Sequence, residues 1–342
     1  MHRLRRDDST DTGPLLRVLF LRFGEVPADA GRVRCGVVVQ ERTGMKLNRW
    51  FTTAFATVML SLATSAAKGD DMVLIHVHGL GYSADGNELV IPSHQGLAVY
   101  RDGKWTKAPG PQHDYMGFVA TEHGYYTSGH PAPASGLINP FGLLRSDDNA
   151  KSWKKLGLEG QADFHLLAAS FKANAVYVYN AAPNSKMERP GLYVTVDDGA
   201  TWRRADAIGL EGQILSLAVH PTDSDNIAAG TRVGLFVSHD AGKRFNRALG
   251  DAQVLSLMFD QDGRTVWAST FDRSAHLLQI DPTNGHKTES ALPSLGDDAV
   301  AYIAQHPKDG KQVAIATFAR SVFISKDRAM TWKQIADRGR TL

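Results

Sequence analysis

The stretch GLYVTVDDGATW, Gly191 to Trp202, decides the fold. An apolar run gives way to two aspartates, then a glycine, then a tryptophan three residues later. Its second part, TVDDGATW at 195–202, recurs as SDDNAKSW at 146–153, SHDAGKRF at 238–245 and SKDRAMTW at 325–332. Each copy reads Ser/Thr-x-Asp-x-Gly/Ala, then a polar stretch ending in an aromatic. The starts lie 49, 43 and 87 residues apart, and the last spacing is about twice the one before it. A degenerate copy is therefore expected near 281, where IDPTNGHK is rich in turn formers. A shortened copy, YRDGKWTK at 100–107, lies one period before the first. Fixed self-similarity at this period is the mark of a repeat architecture.

The chemistry of the repeat is that of a hairpin turn. Asp148, Asp197, Asp240 and Asp327 can accept hydrogen bonds from backbone N–H groups nearby. A glycine or small residue two positions later admits a tight turn, and the following Trp or Phe can wedge between sheets. Before each turn runs an apolar strand: GLLRS, GLYVTV, GLFVS and SVFIS. Two more precede it, as in LSLAVH and NIAAGT. Four strands in each of six units predict an all-β, six-bladed propeller of four-stranded antiparallel blades over 72–335.

The repeat resembles the Asp-box, or BNR, motif of sialidases and sortilin-type propellers, and the resemblance spans nearly all of 72–335. The chain is also similar to bacterial exported proteins grouped as glycosyl hydrolase or BNR-repeat proteins, through HVHGLGYSADG, HDYMGF, SGHPAP and GLYVTVDDGATW. The resemblance implies a sialidase-like fold. It does not by itself imply a reaction.

Composition bounds the rest. The chain has 342 residues, is 43% hydrophobic and 22% charged, and carries a net charge of +2. Without a long basic block in the folded part, nucleic-acid binding is not expected. Residues 1–44 show no periodicity and hold the one cysteine, Cys35. From Met45 the sequence changes. Lys46 and Arg49 precede an apolar run from Phe51 to Ala63, and Ser65-Ala66-Ala67 follows with small residues. This is the pattern of a secretory signal peptide over 45–67. It makes Met45 the expected start and 1–44 an upstream extension, translated in error or disordered. A long N-terminal region followed by a buried or anchoring helix is the alternative. The apolar run is short for a membrane span, so a secreted or periplasmic product with no stable span after cleavage is expected. That product would lack cysteine, and its core must be large enough to stand without disulfides.

The Asp-containing turns join third and fourth strands, so function is expected on the opposite face. Aligning the first strands by their downstream ends brings His76/His78, Asp114/Met116 and Asp163/His165 to equivalent positions in blades 1–3. Residues two apart share a strand face. Blades 4 and 6 place Gln213/Leu215 and Ala299/Ala301 there instead. The loops between second and third strands add His94, His130 and Asn180, and His113 precedes Asp114.

Three readings of this cluster stay open. The side chains can be wet channel residues bonded to one another. They can hold a divalent or copper ion, with His78, His165 and Met116 as candidate ligands and zinc or copper the leading metals. Or they can bind a glycan or other polar molecule through His76, His94, His113, His130 and Asn180, with Tyr115, Phe164, Tyr125 and Tyr126 available for stacking. Asp114 and Asp163 are then the candidate catalytic pair, since glycoside hydrolysis needs two carboxyl groups roughly 5–10 Å apart. Arg232, Arg273 and Arg320 sit in the same class of loop in blades 4–6 and could bind an anionic group. No first strand carries the arginine that sialidases use, so sialidase activity is not expected. A non-enzymatic scaffold for an exported protein partner is the competing class.

Overall fold

The computed structural model describes residues 72–342, so Cys35 and the segments 1–44 and 45–67 lie outside the described residues. The described residues form a six-bladed β-propeller without helices. Blade 1 comprises β1 (Gly81–Tyr82), β2 (Leu89–Ser93), β3 (Gly96–Arg101) and β4 (Lys104–Lys107). Blade 2 comprises β5 (Asp114–Thr121), β6 (Gly124–His130), β7 (Leu144–Ser146) and β8 (Lys154–Lys155). Blade 3 follows with β9 (Leu167–Ala169), β10 (Val176–Asn180), β11 (Gly191–Thr195) and β12 (Arg203–Arg204). Blade 4 contains β13 (Ile214–Val219), β14 (Ile227–Thr231), β15 (Gly234–Ser238) and β16 (Asn246–Gly250). Blade 5 contains β17 (Gln253–Phe259), β18 (Val266–Phe271), β19 (Ala275–Ile280) and β20 (Lys287–Ser290). Blade 6 contains β21 (Val300–His306), β22 (Asp309–Thr317), β23 (Val322–Ser325) and β24 (Lys333–Asp337), and gains β25 (Arg340–Thr341) beyond residue 335. All strand pairings within the blades are antiparallel and in sequence order, and the first strand of each blade touches the first strands of its neighbours around the ring.

The ring closes where the two ends of the propeller meet. Val73 bridges Arg340, the Leu74 N–H donates to the Gly339 carbonyl at 2.7 Å, and the Thr341 hydroxyl donates to the Met72 carbonyl at 2.8 Å. Across the seam the Trp105 indole of blade 1 donates to the Ile335 carbonyl of blade 6 at 3.0 Å.

Alternation along each strand explains the cohesion. In β14, Ile227 and Ala229 pack toward blade 3, while Ala228 packs toward blade 5. In β15, Phe236 faces blade 3 while Leu235 and Val237 face blade 5. Strands buried on both faces carry near-continuous apolar runs; β2 and β15 are buried throughout, and their terminal serines, Ser93 and Ser238, donate to Gly96 and Asp240. The result is one apolar cluster at each blade-to-blade interface, the last joining blades 6 and 1.

The four Asp-containing turns share one hydrogen-bond pattern. In blade 3 the Thr195 hydroxyl donates to Asp197 at 2.7 Å and accepts from the Gly199 N–H at 2.9 Å, while Asp197 accepts from the Thr201 N–H at 2.9 Å. Ser146/Asp148, Ser238/Asp240 and Ser325/Asp327 repeat the first of these bonds. Two successive residues adopt positive φ, as at Asp198 (54°) and Gly199 (77°). That requirement accounts for the small residue at the second position. Each following aromatic packs against the preceding blade: Trp105, Trp153, Trp202, Phe245 and Trp332. The degenerate turn at Asp281 joins β19 to β20 at its expected place, and there Asp281 accepts from the Thr283 N–H and hydroxyl.

Candidate functional site

The sequence alignment places the first histidine pair inside a strand. The structure shortens that strand: β1 begins only at Gly81, and His76 and His78 lie on the extended lead-in before it. Asp163 and His165 likewise precede β9, whereas Asp114 opens β5. The lead-ins are anchored by a few bonds. The His78 N–H donates to the Pro92 carbonyl at 3.1 Å, and the Phe164 N–H donates to the buried Ser128 hydroxyl at 3.0 Å. The Ser128 hydroxyl in turn donates to the Gly142 carbonyl at 2.7 Å. Between blades 2 and 3 the backbones come very close. Gly117 has φ +54°, and a Cβ there would sit 1.9 Å from the Phe164 carbonyl oxygen. Only glycine permits this approach, and it presses the Asp163–His165 segment against blade 2.

The lead-ins converge with the β2–β3 and β6–β7 connections. The His76 and His78 rings lie parallel, 5.8 Å between centroids. His94 stands edge-on to both, with centroids 4.3 and 4.8 Å away. One ligand nitrogen from each of the three rings lies within 4.8 Å of the others. Asp114 reaches back from blade 2 and accepts from the His94 Nδ1–H at 2.6 Å. Its other oxygen lies 3.8 Å from His78 Nε2, and both of those atoms are buried without a hydrogen-bond partner.

One blade further on the motif recurs. Asp163 Oδ2 accepts from His130 Nε2 at 3.1 Å and from His165 Nε2 at 2.6 Å, and these three residues again offer donor atoms within 4.8 Å of one another. His130 Nδ1 bonds the Asn139 side-chain oxygen at 2.7 Å, which orients the ring. Asp163 Oδ1 is buried and unpartnered.

Electrostatics distinguish the two groups. Burial, only partly offset by Asp114, pushes His78 down to about 4, so it is a neutral imidazole at physiological pH. The hydrogen bond to Asp163 raises His130 to about 9. Burial disfavours the Asp163 carboxylate, but its bonds to His130 and His165 outweigh that and hold it well below the usual carboxylate range.

Not every residue of the sequence cluster joins. His113 Nδ1 accepts from the Ala132 N–H at 3.0 Å and its ring packs 5.0 Å from Phe141, so it supports the β6–β7 loop. Asn180 is 2% exposed; its amide donates to the Ala182 carbonyl at 2.6 Å and its oxygen accepts from Asn184, bracing loop 181–190. Lys186 of that loop reaches the Gly199 carbonyl at the other end of β11. Met116 is buried and pairs with Ser128 across β5 and β6. Arg232 donates to Gln213 at 2.7 Å beside an open surface cavity of about 520 Å³ shared with Glu211 and Arg247. Arg273 lies in the β18–β19 connection, and Arg320 packs beside Gly339 at the ring seam. Of the proposed stacking residues, Tyr115, Phe164, Tyr125 and Tyr126 are all buried, at 0–5% exposure. Sequence reading missed Asn139 and Ser128, because bracing residues carry no spacing signal.

No family model matches the chain. A Hypocrea jecorina (strain QM6a) xyloglucanase is 29% identical over 82 residues, which are 24% of this chain and 9% of the enzyme. Among solved structures, the Niastella koreensis GH74 enzyme superposes with a TM-score of 0.51 at 14% identity, covering 78% of this chain and 46% of that one. The Xanthomonas campestris GH74 xyloglucanase gives 0.50 at 16% identity with the same coverage. The chain thus spans less than half of each of these enzymes. At such identities the likeness is one of fold.

Proposed function

We propose that this is an exported Asp-box propeller whose blade 1–2 face binds a transition-metal ion through His76, His78 and His94, with Asp114 orienting His94. The observation that carries the reading is the convergence of three imidazoles around a buried, unpartnered His78 nitrogen. An isolated buried donor or acceptor is costly, and a neutral imidazole is the form that binds metal. A carboxylate on the far nitrogen of a ligating histidine is the usual way to fix its tautomer and direction. Three imidazole nitrogens suit zinc or copper(II). The signal-like segment at 45–67 supports export, and an exported metal-binding propeller needs no cysteine.

The carboxylate pair fits glycoside hydrolysis less well. A general acid needs a raised pKa, yet Asp163 is held ionised by two histidines. A glycan partner remains a second reading, favoured by one observation: Tyr179 is 37% exposed, and its N–H bonds the Leu166 carbonyl next to His165. The fold likeness to xyloglucanases agrees with it.

The deciding measurement is zinc and copper(II) titration of untagged, metal-free protein by calorimetry, with His78→Ala alongside. The proposal expects binding in the micromolar range or tighter that falls at least about 100-fold in the variant. Equal binding by both proteins overturns it. Binding of xyloglucan oligosaccharides that is lost in Tyr179→Ala and untouched in His78→Ala would establish the second reading in its place.

A further inference from the structure

The His130, Asp163 and His165 group is a second, chemically different cluster, and the same face of the propeller carries it one blade along. We infer that it is a separate metal site of the two-histidine, one-carboxylate type, so that the face holds two ions side by side across blades 1–3. The inference rests on the same reading of this face as a metal-binding one.

The internal repetition carries the argument. In both places a carboxylate at or before one blade's first strand bonds a histidine at the far end of the second strand of the preceding blade: Asp114, which opens β5, with His94 just after β2, and Asp163, on the lead-in to β9, with His130, which closes β6. A histidine from a strand lead-in completes each group: His78, from the blade before the carboxylate, in the first, and His165, from the carboxylate's own blade, in the second. The difference lies in donor type. The first set offers three nitrogens with the carboxylate behind them, whereas the second offers two nitrogens with the carboxylate among them. Nitrogen-only sites favour zinc and copper, and mixed nitrogen–oxygen sites with free positions accept manganese, iron(II) or zinc as well.

Three details favour an ion here over a closed salt bridge. Asp163 Oδ1 is buried with no partner, although a carboxylate satisfied by its two histidines would turn both oxygens to use. Asn139 holds His130 by Nδ1, so Nε2, which donates to Asp163 in the metal-free protein, is the nitrogen that would turn to an ion, and Asn139 gives the outer support typical of ligating histidines. The His165 side chain is 48% exposed, so solvent can reach an ion at this point and fill its remaining positions.

The test counts ions. Metal-free, untagged protein is loaded with zinc, and separately with manganese, then freed of excess metal and analysed by elemental mass spectrometry. The panel is wild type, His78→Ala, His165→Ala, Asp163→Asn and the double variant His78→Ala/His165→Ala, with circular dichroism confirming the fold. Two zinc ions in wild type, one in each single variant and none in the double variant are expected, with any bound manganese abolished by His165→Ala or Asp163→Asn alone. Should His165→Ala fail to fold, Asp163→Asn reads the same site. One zinc ion, lost in His78→Ala and kept in His165→Ala and Asp163→Asn, overturns the second site and leaves the first. One ion lost in either variant means a single shared site and also overturns it. No bound metal at all overturns both.

Discussion

Asp163 of blade 3 accepts a hydrogen bond from His130 of blade 2, and the pair Asp114–His94 makes the same bond one blade earlier. The inter-blade pairs are 3.1 and 2.6 Å apart; Asp163 lies on the lead-in to β9, and Asp114 opens β5. The inter-blade carboxylate–histidine bond thus recurs on successive blades. What varies is the residue beside the pair: His76 and His78 in one case, His165 in the other.

Asp114 bonds His94 Nδ1, on the side of the ring away from the proposed ion, which separates its role from that of the imidazoles. Asp114→Asn retains the shape but removes the charge behind His94. Zinc affinity at the blade 1 site should fall by about 10–100-fold, the usual cost of losing an outer carboxylate. His78→Ala should remove that binding altogether. Calorimetric titration of the two variants reads the split; equal losses would place Asp114 among the direct ligands.

The His130–Asp163 pair sets a pH dependence in the metal-free protein. His130 is raised from 6.5 to about 9 on folding, so the native state holds the extra proton. Its stabilisation is complete below about pH 6.5 and drains away as pH rises through 9. Asp163 is lowered instead, so its contribution is present above its ordinary value of 3.8 and is lost as pH falls below that. The Tm advantage of wild type over His130→Gln should thus be greatest near pH 5–6.5 and vanish near pH 9–10. A constant difference across that range would show that the pair does not titrate as the geometry requires.

His78 acts in the opposite sense. Its folded pKa is about 4 against 6.5, so the unfolded chain takes up a proton that the native chain refuses. Stability contributed by the neutral ring is present above about pH 6.5 and is lost progressively down to pH 4. Metal-free wild type should lose Tm over that interval more steeply than His78→Gln. Zinc should suppress the difference, because a bound ion occupies the nitrogen that the proton would take.

The propeller was legible in the sequence because its turns repeat a chemistry that only one geometry satisfies. Ser/Thr-x-Asp followed by a small residue marks the paired positive-φ positions, and the aromatic seven residues after the Ser/Thr marks the wedge. Of the aligned pairs, His76 and His78 stack and Asp163 bonds His165, whereas Asp114 turns to His94 and Met116 is buried opposite Ser128. Alignment alone could not separate His165 from His78, which belong to different groups, nor remove His113 and Asn180, which hold loops. Those distinctions depend on which backbone group each side chain meets, and such partners come from segments far apart in sequence. The buried state of Tyr115, Phe164, Tyr125 and Tyr126 was hidden for the same reason: aromatic residues near a site and those beneath it look alike.

The turns themselves invite an isosteric test. Thr195 is 2% exposed, and its hydroxyl both donates to Asp197 and accepts from the Gly199 N–H. Thr195→Val keeps the volume but leaves that buried N–H without an acceptor, at a cost of about 1–3 kcal/mol. The measurement is urea unfolding. The midpoint should drop with the slope unchanged, and metal stoichiometry should stay as in wild type, because the turn lies at the far end of the blade from the site.

Gly117 tests whether the contact between blades 2 and 3 positions the second group. Alanine there must bear positive φ, worth about 1 kcal/mol, and its methyl would lie 1.9 Å from the Phe164 carbonyl. Phe164 sits between Asp163 and His165, so relief of that clash by a shift of Phe164 displaces both donors relative to His130. Gly103→Ala is the matched control: it also has positive φ, 79°, but nothing lies within 4 Å of the new methyl. Both variants should lose stability through backbone strain, and Gly117→Ala should lose more. Gly117→Ala alone should lose the ion assigned to His130, Asp163 and His165 while keeping the one at His76, His78 and His94. If both variants keep the same ions, the tight approach at Gly117 serves packing between the blades, and the donors of the second group are held by Ser128 and Asn139 instead.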